Sequence, residues 1–196
     1  VGDCATPGWY ANVNPLVVFM SVNFITSMMK KRNAITSMMM GMFIIPLSAL
    51  VMSFGNHIGE AYILGMHPVA FMMIIGIAMQ ALAECFISPR YLEYFSLQAP
   101  KGEEGLYLGF SHLHSFFSYL FAFGISGFLL EKYCPDPRLF TDTNGMFDKA
   151  AYSTATEHAH YIWYVFVGIG AVSAVALFIY SRVVQQLDKK KELVKQ

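Results

Sequence analysis

Charged residues are scarce in this chain. Only 13% of its 196 residues are Asp, Glu, Lys or Arg, whereas a soluble domain normally carries about a quarter. So few charges could hardly cover a water-facing surface, which excludes an ordinary soluble globular domain. The formal net charge is zero, and this argues against a protein that binds nucleic acid.

Cysteine is also scarce, and metal-ligand spacing is missing. Cys4, Cys85 and Cys134 form no CxxC pair, so neither a metal nor another cofactor is predicted. We place Cys4 and Cys134 on the same outer side of a membrane, where a disulfide would be feasible, but free thiols are the favoured interpretation. No signal peptide is visible, and the start at Val1 suggests a fragment.

Long apolar runs are what the sequence has in abundance. Hydrophobic residues make up 56% of the chain, and a helix needs about 20 of them in a row to cross ~30 Å of hydrocarbon. Five stretches are long enough and show no amphipathic face. We therefore predict an all-α membrane protein with about five transmembrane helices. The predicted spans are 10–29, 34–54, 68–88, 105–130 and 161–182.

Lysine and arginine set the expected orientation. The turn at 30–32 reads Lys-Lys-Arg, and the tail after Ser181 holds five more basic residues. With five spans, the turn and the C-terminus lie on the same side, so both are predicted to be cytoplasmic in a plasma (inner) membrane. The tail at 183–196 is then cytoplasmic, and 131–160 is an extracytoplasmic loop in which we expect a short helix near 149–157.

Glu84 is the most conspicuous polar residue at membrane depth. An ionisable group there is costly, so it normally faces a cavity or a partner. Gln80 lies one turn before it and Ser88 one turn after it, on the same helix face, and Pro89 would loosen the helix just beyond. The favoured interpretation is a site for a substrate cation or a proton. A structural salt bridge to a helix outside this chain, or a carboxylate at the interface, stays open.

A few other polar residues fall within the spans. His112 and His114, near the inner end of the fourth span, are candidates for protonation near a gate. Neither this pair nor His158 and His160, at the outer edge of the last span, offers enough ligands for a metal. Asn23 either lines a pathway or bonds to a neighbouring helix. Small residues recur at steps of three and four from Ser111 to Ser126, which predicts close helix packing.

One segment carries a family resemblance. Residues 84–109 read ECFISPRYLEYFSLQAPKGEEGLYLG. This run resembles the proton-dependent oligopeptide transporters of the major facilitator superfamily, in which a Glu of the tenth helix is followed by Ser-Pro, Ala-Pro and then a Gly-x-x-x-Gly that opens the eleventh. The turn-like Asn14-Pro15-Leu16 resembles the start of the eighth helix. The matching residues of the longer segment are Glu84, Ser88, Pro89, Ala99, Pro100, Gly105 and Gly109.

The resemblance implies that the chain supplies helices eight to twelve, a partial C-terminal half of a major facilitator fold. Its partners would be the remaining N-terminal helices of a full-length transporter, the lipid bilayer, a small solute and a proton. The implied function is proton-coupled symport of di- or tripeptides, with Glu84 helping to hold the peptide amino group. Further substrate-binding candidates are Gln80, Asn23 and Ser88. The candidates for proton coupling are Glu84, His112 and His114, and those for gating or packing are Pro89, Gly105 and Gly109.

The chain differs from the family in two places. Arg90-Tyr91 and Glu93 stand where the family has small residues after Ser-Pro, and His112 and His114 replace a small, aromatic opening of helix eleven. Two alternatives therefore stay open: a major facilitator transporter of a sugar, nucleoside or drug, and a non-transporting membrane scaffold subunit. No nucleophile–base pair is present, so an enzyme is not predicted.

Overall fold

The computed structural model describes residues 7–55, 57–59, 62–142 and 145–194, with side chains from 10 to 187 within these ranges. The described residues contain seven α-helices, one 3-10 turn and no strand longer than an isolated bridge. The helices are α1 (Pro7–Met29), α2 (Ala34–Phe54), α3 (Pro68–Gln98), α4 (Glu104–Ser111), α5 (Leu113–Tyr133), α6 (Lys149–Ala155) and α7 (Tyr161–Val194).

Five helical stretches are long and apolar enough to cross a membrane, which confirms the predicted number. Large apolar side chains point away from the bundle on these stretches. Phe19 is 81% exposed and Phe123 is 78% exposed, a liability in water but suited to lipid. The five stretches are Tyr10–Met29, Ala34–Phe54, Pro68–Gln98, Glu104–Phe140 (which contains α4 and α5) and Tyr161–Leu187.

The first three helices have an up-down-up arrangement, with a four-residue turn between α1 and α2 and a longer connection between α2 and α3, and small residues bring α2 against α3. A Cβ added at Gly41 of α2 would lie 2.8 Å from the Ala83 carbonyl oxygen of α3. At Gly76 of α3 it would lie 2.4 Å from Met52 of α2. The two backbones thus approach closely, as transmembrane helices do where small residues face each other. Helix α1 packs on the same α3, with Ile25 and Met29 buried against Cys85 and Phe86.

Helix α7 packs against α2 from another side. A Cβ added at Gly170 would lie 3.2 Å from the Pro46 ring, and the Tyr180 hydroxyl lies 2.7 Å from that of Tyr94 on α3. The α1–α2 turn, the α3–α4 loop and the final turns of α7 consequently gather at one end of the bundle. The predicted orientation requires the basic turn and the C-terminus to lie on the same side, as they do here. That this end faces the cytoplasm stays a prediction.

Helix α3 continues ten residues beyond the predicted end at Ser88. Pro89 has no N–H to donate, and proline loosens a helix around it. Ser37 of α2 donates its hydroxyl to the Phe86 carbonyl at 3.0 Å, a buried hydrogen bond just before the proline. The helix nevertheless continues past Pro89 to Gln98, with α2 packed along it.

The fourth predicted span differs more, because the helix is broken. Helix α4 ends at Ser111 and α5 begins at Leu113, with His112 between them. Helix α5 then runs to Tyr133, three residues past the predicted end, and contacts α4 and α7 only sparsely. At the C-terminus, α7 extends to Val194 and so includes most of the predicted tail.

The segment between α5 and α7 is a small folded unit. A 3-10 turn at Pro137–Phe140 leads to an isolated bridge between Thr141 and Phe147. Helix α6 follows, in the predicted place, and the Asp148 carboxylate caps it by accepting from two backbone N–H groups. The Tyr152 ring packs on Phe140 and Phe147, at centroid distances of 5.5 and 5.3 Å.

Two cysteines can be placed. Cys85 is a buried thiol on α3, and Cys134 is a half-buried thiol at the end of α5. The predicted alternatives for Cys4 lie outside the described residues.

Candidate functional site

Glu84 of α3 and Asn14 of α1 form the centre of the candidate site. The Asn14 side-chain amide nitrogen lies 3.4 Å from each of the two carboxylate oxygens of Glu84. The pair forms because α1 and α3 run parallel and pack along one seam, with Val18 and Leu82 in contact with the core beside it. Pro15 follows Asn14 inside α1, where it removes one backbone hydrogen bond.

Glu84 has no cationic partner in the part of the chain that the structure describes. The ion pair found there joins Arg90 to Glu93, three residues apart on α3. Glu84 is sixteen residues from the start of α3 and fourteen from its end, so it lies near the middle of a helix about 46 Å long. The depth of Glu84 in a bilayer stays a prediction.

Two of the predicted neighbours share the face of Glu84. Gln80 is half-buried one turn before it, and Ser88 is exposed one turn after it. Asn23 does not join them. It follows Asn14 by nine residues, or two and a half turns, which places it on the opposite face of α1 and about 13.5 Å farther along the axis.

The two histidines have different surroundings. His112 is exposed and occupies the break between α4 and α5. His114 is exposed as well, but its Nδ1 atom contacts the carbonyl oxygen of Ser111, and its Nε2 atom lies 3.5 Å from the Ser115 hydroxyl. The Tyr91 hydroxyl of α3 donates to the same Ser111 oxygen at 3.0 Å.

The residues predicted to gate or pack differ in their contacts. Pro89 lies inside α3, just after the carbonyl that Ser37 binds. Gly105 and Gly109 have open space where a Cβ would be, and their gating or packing role stays a prediction. Their helix, α4, touches α3 where the Tyr91 hydroxyl donates to the Ser111 carbonyl oxygen.

The small-residue stripe of the fourth span also packs less than expected. Ser118, Ala122 and Ser126 line an open cavity of about 490 Å³ between α5 and α7, together with aromatic side chains and Ile169. Only Ser111 at the start of the stripe is buried.

Two residues of this region were missed by sequence reasoning. In sequence, Asn14 indicates the start of its helix, although an amide inside an apolar span is itself a signal. Tyr91 stands out only as a difference from the resembling family. The pairing of each depends on contacts between helices far apart in sequence, 70 residues for Asn14 and Glu84.

Among the described side chains, no group of three or more His, Cys, Asp or Glu residues is placed to hold a metal ion. No family model, curated protein or solved structure matches the chain.

Proposed function

We propose that this chain is part of a secondary transporter of the major facilitator type that moves a small solute with protons, most simply a di- or tripeptide. The observation that carries the proposal is Glu84. Its carboxylate lies mid-helix in a membrane-length helix, is exposed towards the outside of the five-helix bundle, and faces the neutral Asn14 amide.

This arrangement suits a cationic ligand. An uncompensated carboxylate at membrane depth gains from a positive charge, and two opposite charges 4 Å apart attract by about 4 kcal/mol at an effective dielectric constant of 20. The amino group of a peptide would supply that charge. When the ammonium leaves, a proton on the carboxylate neutralises it, so Glu84 can exchange substrate for proton.

Asn14 has a separate task in this scheme. Its amide N–H groups face both carboxylate oxygens, which orients the carboxylate without neutralising it. Gln80 and Ser88 add hydrogen-bonding groups one turn away on the same face. The resemblance of residues 84–109 to the oligopeptide transporters supports the choice of a peptide, and the exposed face of α3 would meet the remaining helices of the full-length protein.

Uptake into proteoliposomes with an inward proton gradient tests the proposal. The full-length protein would be given labelled dipeptide, a sugar or a nucleoside, in wild type, Glu84→Gln and the matched control Glu103→Gln. Glu103 is exposed, precedes α4 and makes no capping bond with its side chain. We expect gradient-driven dipeptide uptake that Glu84→Gln abolishes and Glu103→Gln retains.

The other outcomes decide between the alternatives. Uptake of a sugar or nucleoside instead of the dipeptide would contradict the peptide assignment and leave a transporter of another solute. No uptake of any solute by the folded protein would favour a scaffold subunit. Uptake that is indifferent to Glu84→Gln would remove Glu84 from the site.

A further inference from the structure

The break between α4 and α5 leaves a backbone carbonyl without its helical partner. In a continuous helix the Ser111 oxygen would accept from the Ser115 N–H. Instead, the Ser115 N–H donates to His112 at 3.0 Å, and the His112 N–H donates to Gly109 at 3.2 Å. Within a bilayer every backbone polar group needs a partner, so the Ser111 oxygen must be satisfied by other means.

Two side chains take over this task. The Tyr91 hydroxyl donates to the Ser111 oxygen across the α3–α4 contact, at 3.0 Å. The His114 Nδ1 atom contacts the same oxygen from the far side of the break. A carbonyl has two lone pairs and can accept both bonds. The Tyr91 hydroxyl and the His114 Nδ1 atom also lie 3.0 Å apart, within hydrogen-bond distance of each other.

The junction also brings aromatic rings of α3 and α5 together. Ser111 itself is 1% exposed, so the junction is closed, and the ring of His114 lies 5.0 Å from that of Tyr91. One residue from each of α3, α4 and α5 thus meets at a single atom.

Tyr91 also connects this junction with the candidate site. Glu84, Ser88 and Tyr91 are spaced by four and three residues, so they lie along one face of α3. Seven residues span about 10.5 Å along the axis. A shift or rotation of α3 at Glu84 therefore moves the Tyr91 hydroxyl, and with it the hydrogen bond to the Ser111 carbonyl oxygen at the helix break.

We propose that Tyr91 is a positioning residue whose hydroxyl, acting through the Ser111 carbonyl with His114, sets the angle of α5 about a hinge at His112 and couples that angle to the Glu84 site. The coupling to Glu84 rests on the proposed function. The hinge itself does not, because it follows from the backbone break and from the three side chains at it.

Spin-label distances in the full-length protein test the hinge. Labels would be placed at Leu97 of α3 and Leu120 of α5, which are 74% and 60% exposed, after replacement of the native cysteines. We expect Tyr91→Phe, which deletes only the hydroxyl, to shift or broaden the α3–α5 distance distribution. Tyr119→Phe, which deletes an exposed hydroxyl on α5, is the matched control and should leave it unchanged.

A second label pair separates hinge motion from misfolding. Labels at Phe43 of α2 and Leu92 of α3 should report the same distance in wild type and in Tyr91→Phe. A changed α3–α5 distance with an unchanged α2–α3 distance supports the hinge. An unchanged α3–α5 distance in Tyr91→Phe, or a Tyr119→Phe protein that shifts as much, overturns it.

Dipeptide uptake gives a readout that a purely structural role would not move. Tyr91→Phe should lower the maximal rate about fivefold, the effect of one lost hydrogen bond, and leave the half-saturation concentration unchanged because Tyr91 does not touch the solute. An altered half-saturation concentration with an unaltered maximal rate overturns the coupling. Absence of uptake in wild type would contradict the proposed function, whereas the label distances decide the hinge in either case.

Discussion

The amide of Asn14 faces both oxygens of the Glu84 carboxylate at the same distance, 3.4 Å. A symmetric contact of this kind holds the plane of the carboxylate and leaves its negative charge in place. At 3.4 Å each contact is longer than an ordinary N–H···O hydrogen bond, so the amide orients the carboxylate more than it stabilises its charge. The charge is therefore available to a ligand, and the amide determines where a ligand finds it.

Replacing Asn14 should weaken solute binding more than turnover. We expect Asn14→Ala to raise the half-saturation concentration for a dipeptide about tenfold, which corresponds to about 1.4 kcal/mol, with little change in maximal rate. Asn12→Ala is the matched control, because Asn12 is an exposed amide two residues earlier on α1. Equal effects of the two substitutions on uptake kinetics would show that the Asn14–Glu84 contact has no role.

Close packing between α2 and α3 predicts that alanine substitutions at two glycines differ in their effect on stability. Gly41→Ala should destabilise the protein by about 1–3 kcal/mol, as overpacking does, because the new Cβ meets the Ala83 carbonyl oxygen, a backbone atom. Gly124→Ala on α5 meets nothing within 4 Å and should be neutral or slightly stabilising. Thermal unfolding in detergent measures both, and a Gly41→Ala protein as stable as Gly124→Ala would contradict the close approach.

The Arg90–Glu93 ion pair predicts that removing one partner destabilises the protein more than replacing both with apolar residues. Arg90 is 8% exposed while the Glu93 side chain is 46% exposed, so removing the anion leaves a buried cation without its partner. Glu93→Gln should cost about 1–2 kcal/mol, less than a fully buried pair because water reaches Glu93. The double variant Arg90→Met, Glu93→Leu should unfold at a higher temperature than Glu93→Gln. The reverse order in the same thermal assay would refute this account.

Tyr152 predicts a loss of stability in alkali. Burial raises the pKa of its phenol above the ordinary value of about 10, and the neighbouring Cys134 and Asp136 raise it further. The folded unit between α5 and α7 therefore holds this proton more tightly than the unfolded chain. The resulting stabilisation is complete below about pH 10 and is lost as the pH rises through the folded-state pKa.

Near-ultraviolet circular dichroism against pH, in wild type and Tyr152→Phe, measures this effect. Wild type should lose aromatic signal above pH 10 more steeply than Tyr152→Phe, which has no phenol to ionise. Tyr62→Phe, at an exposed tyrosine, should behave like wild type. Identical alkaline transitions in all three proteins would contradict the raised pKa.

The apolar runs predict the helices well because the thickness of a bilayer sets the length of an apolar run that can cross it. They do not predict the break at His112, which changes a few hydrogen bonds and depends on Tyr91, twenty residues upstream of Ser111. They also do not predict that α3 continues past Pro89, because a proline taken alone indicates that a helix loosens there. Glu84 can be predicted as a site residue from sequence because it is an ionisable group in an apolar span. That Asn14 is its partner cannot be predicted, because the contact depends on how α1 packs on α3.

Because some helices are packed closely and others loosely, they should differ in how easily they deform under a mechanical load. Helix α2 is clamped between α3 and α7 by backbone-close contacts at Gly41 and at Pro46 with Gly170, so these three helices should respond to a load as one stiff body. Among the described side chains, α5 shows no glycine in such close contact, and it touches α4 and α7 only sparsely. Under tension applied along the chain, strain would therefore concentrate at His112, and α5 would bend away before the stiff body deforms.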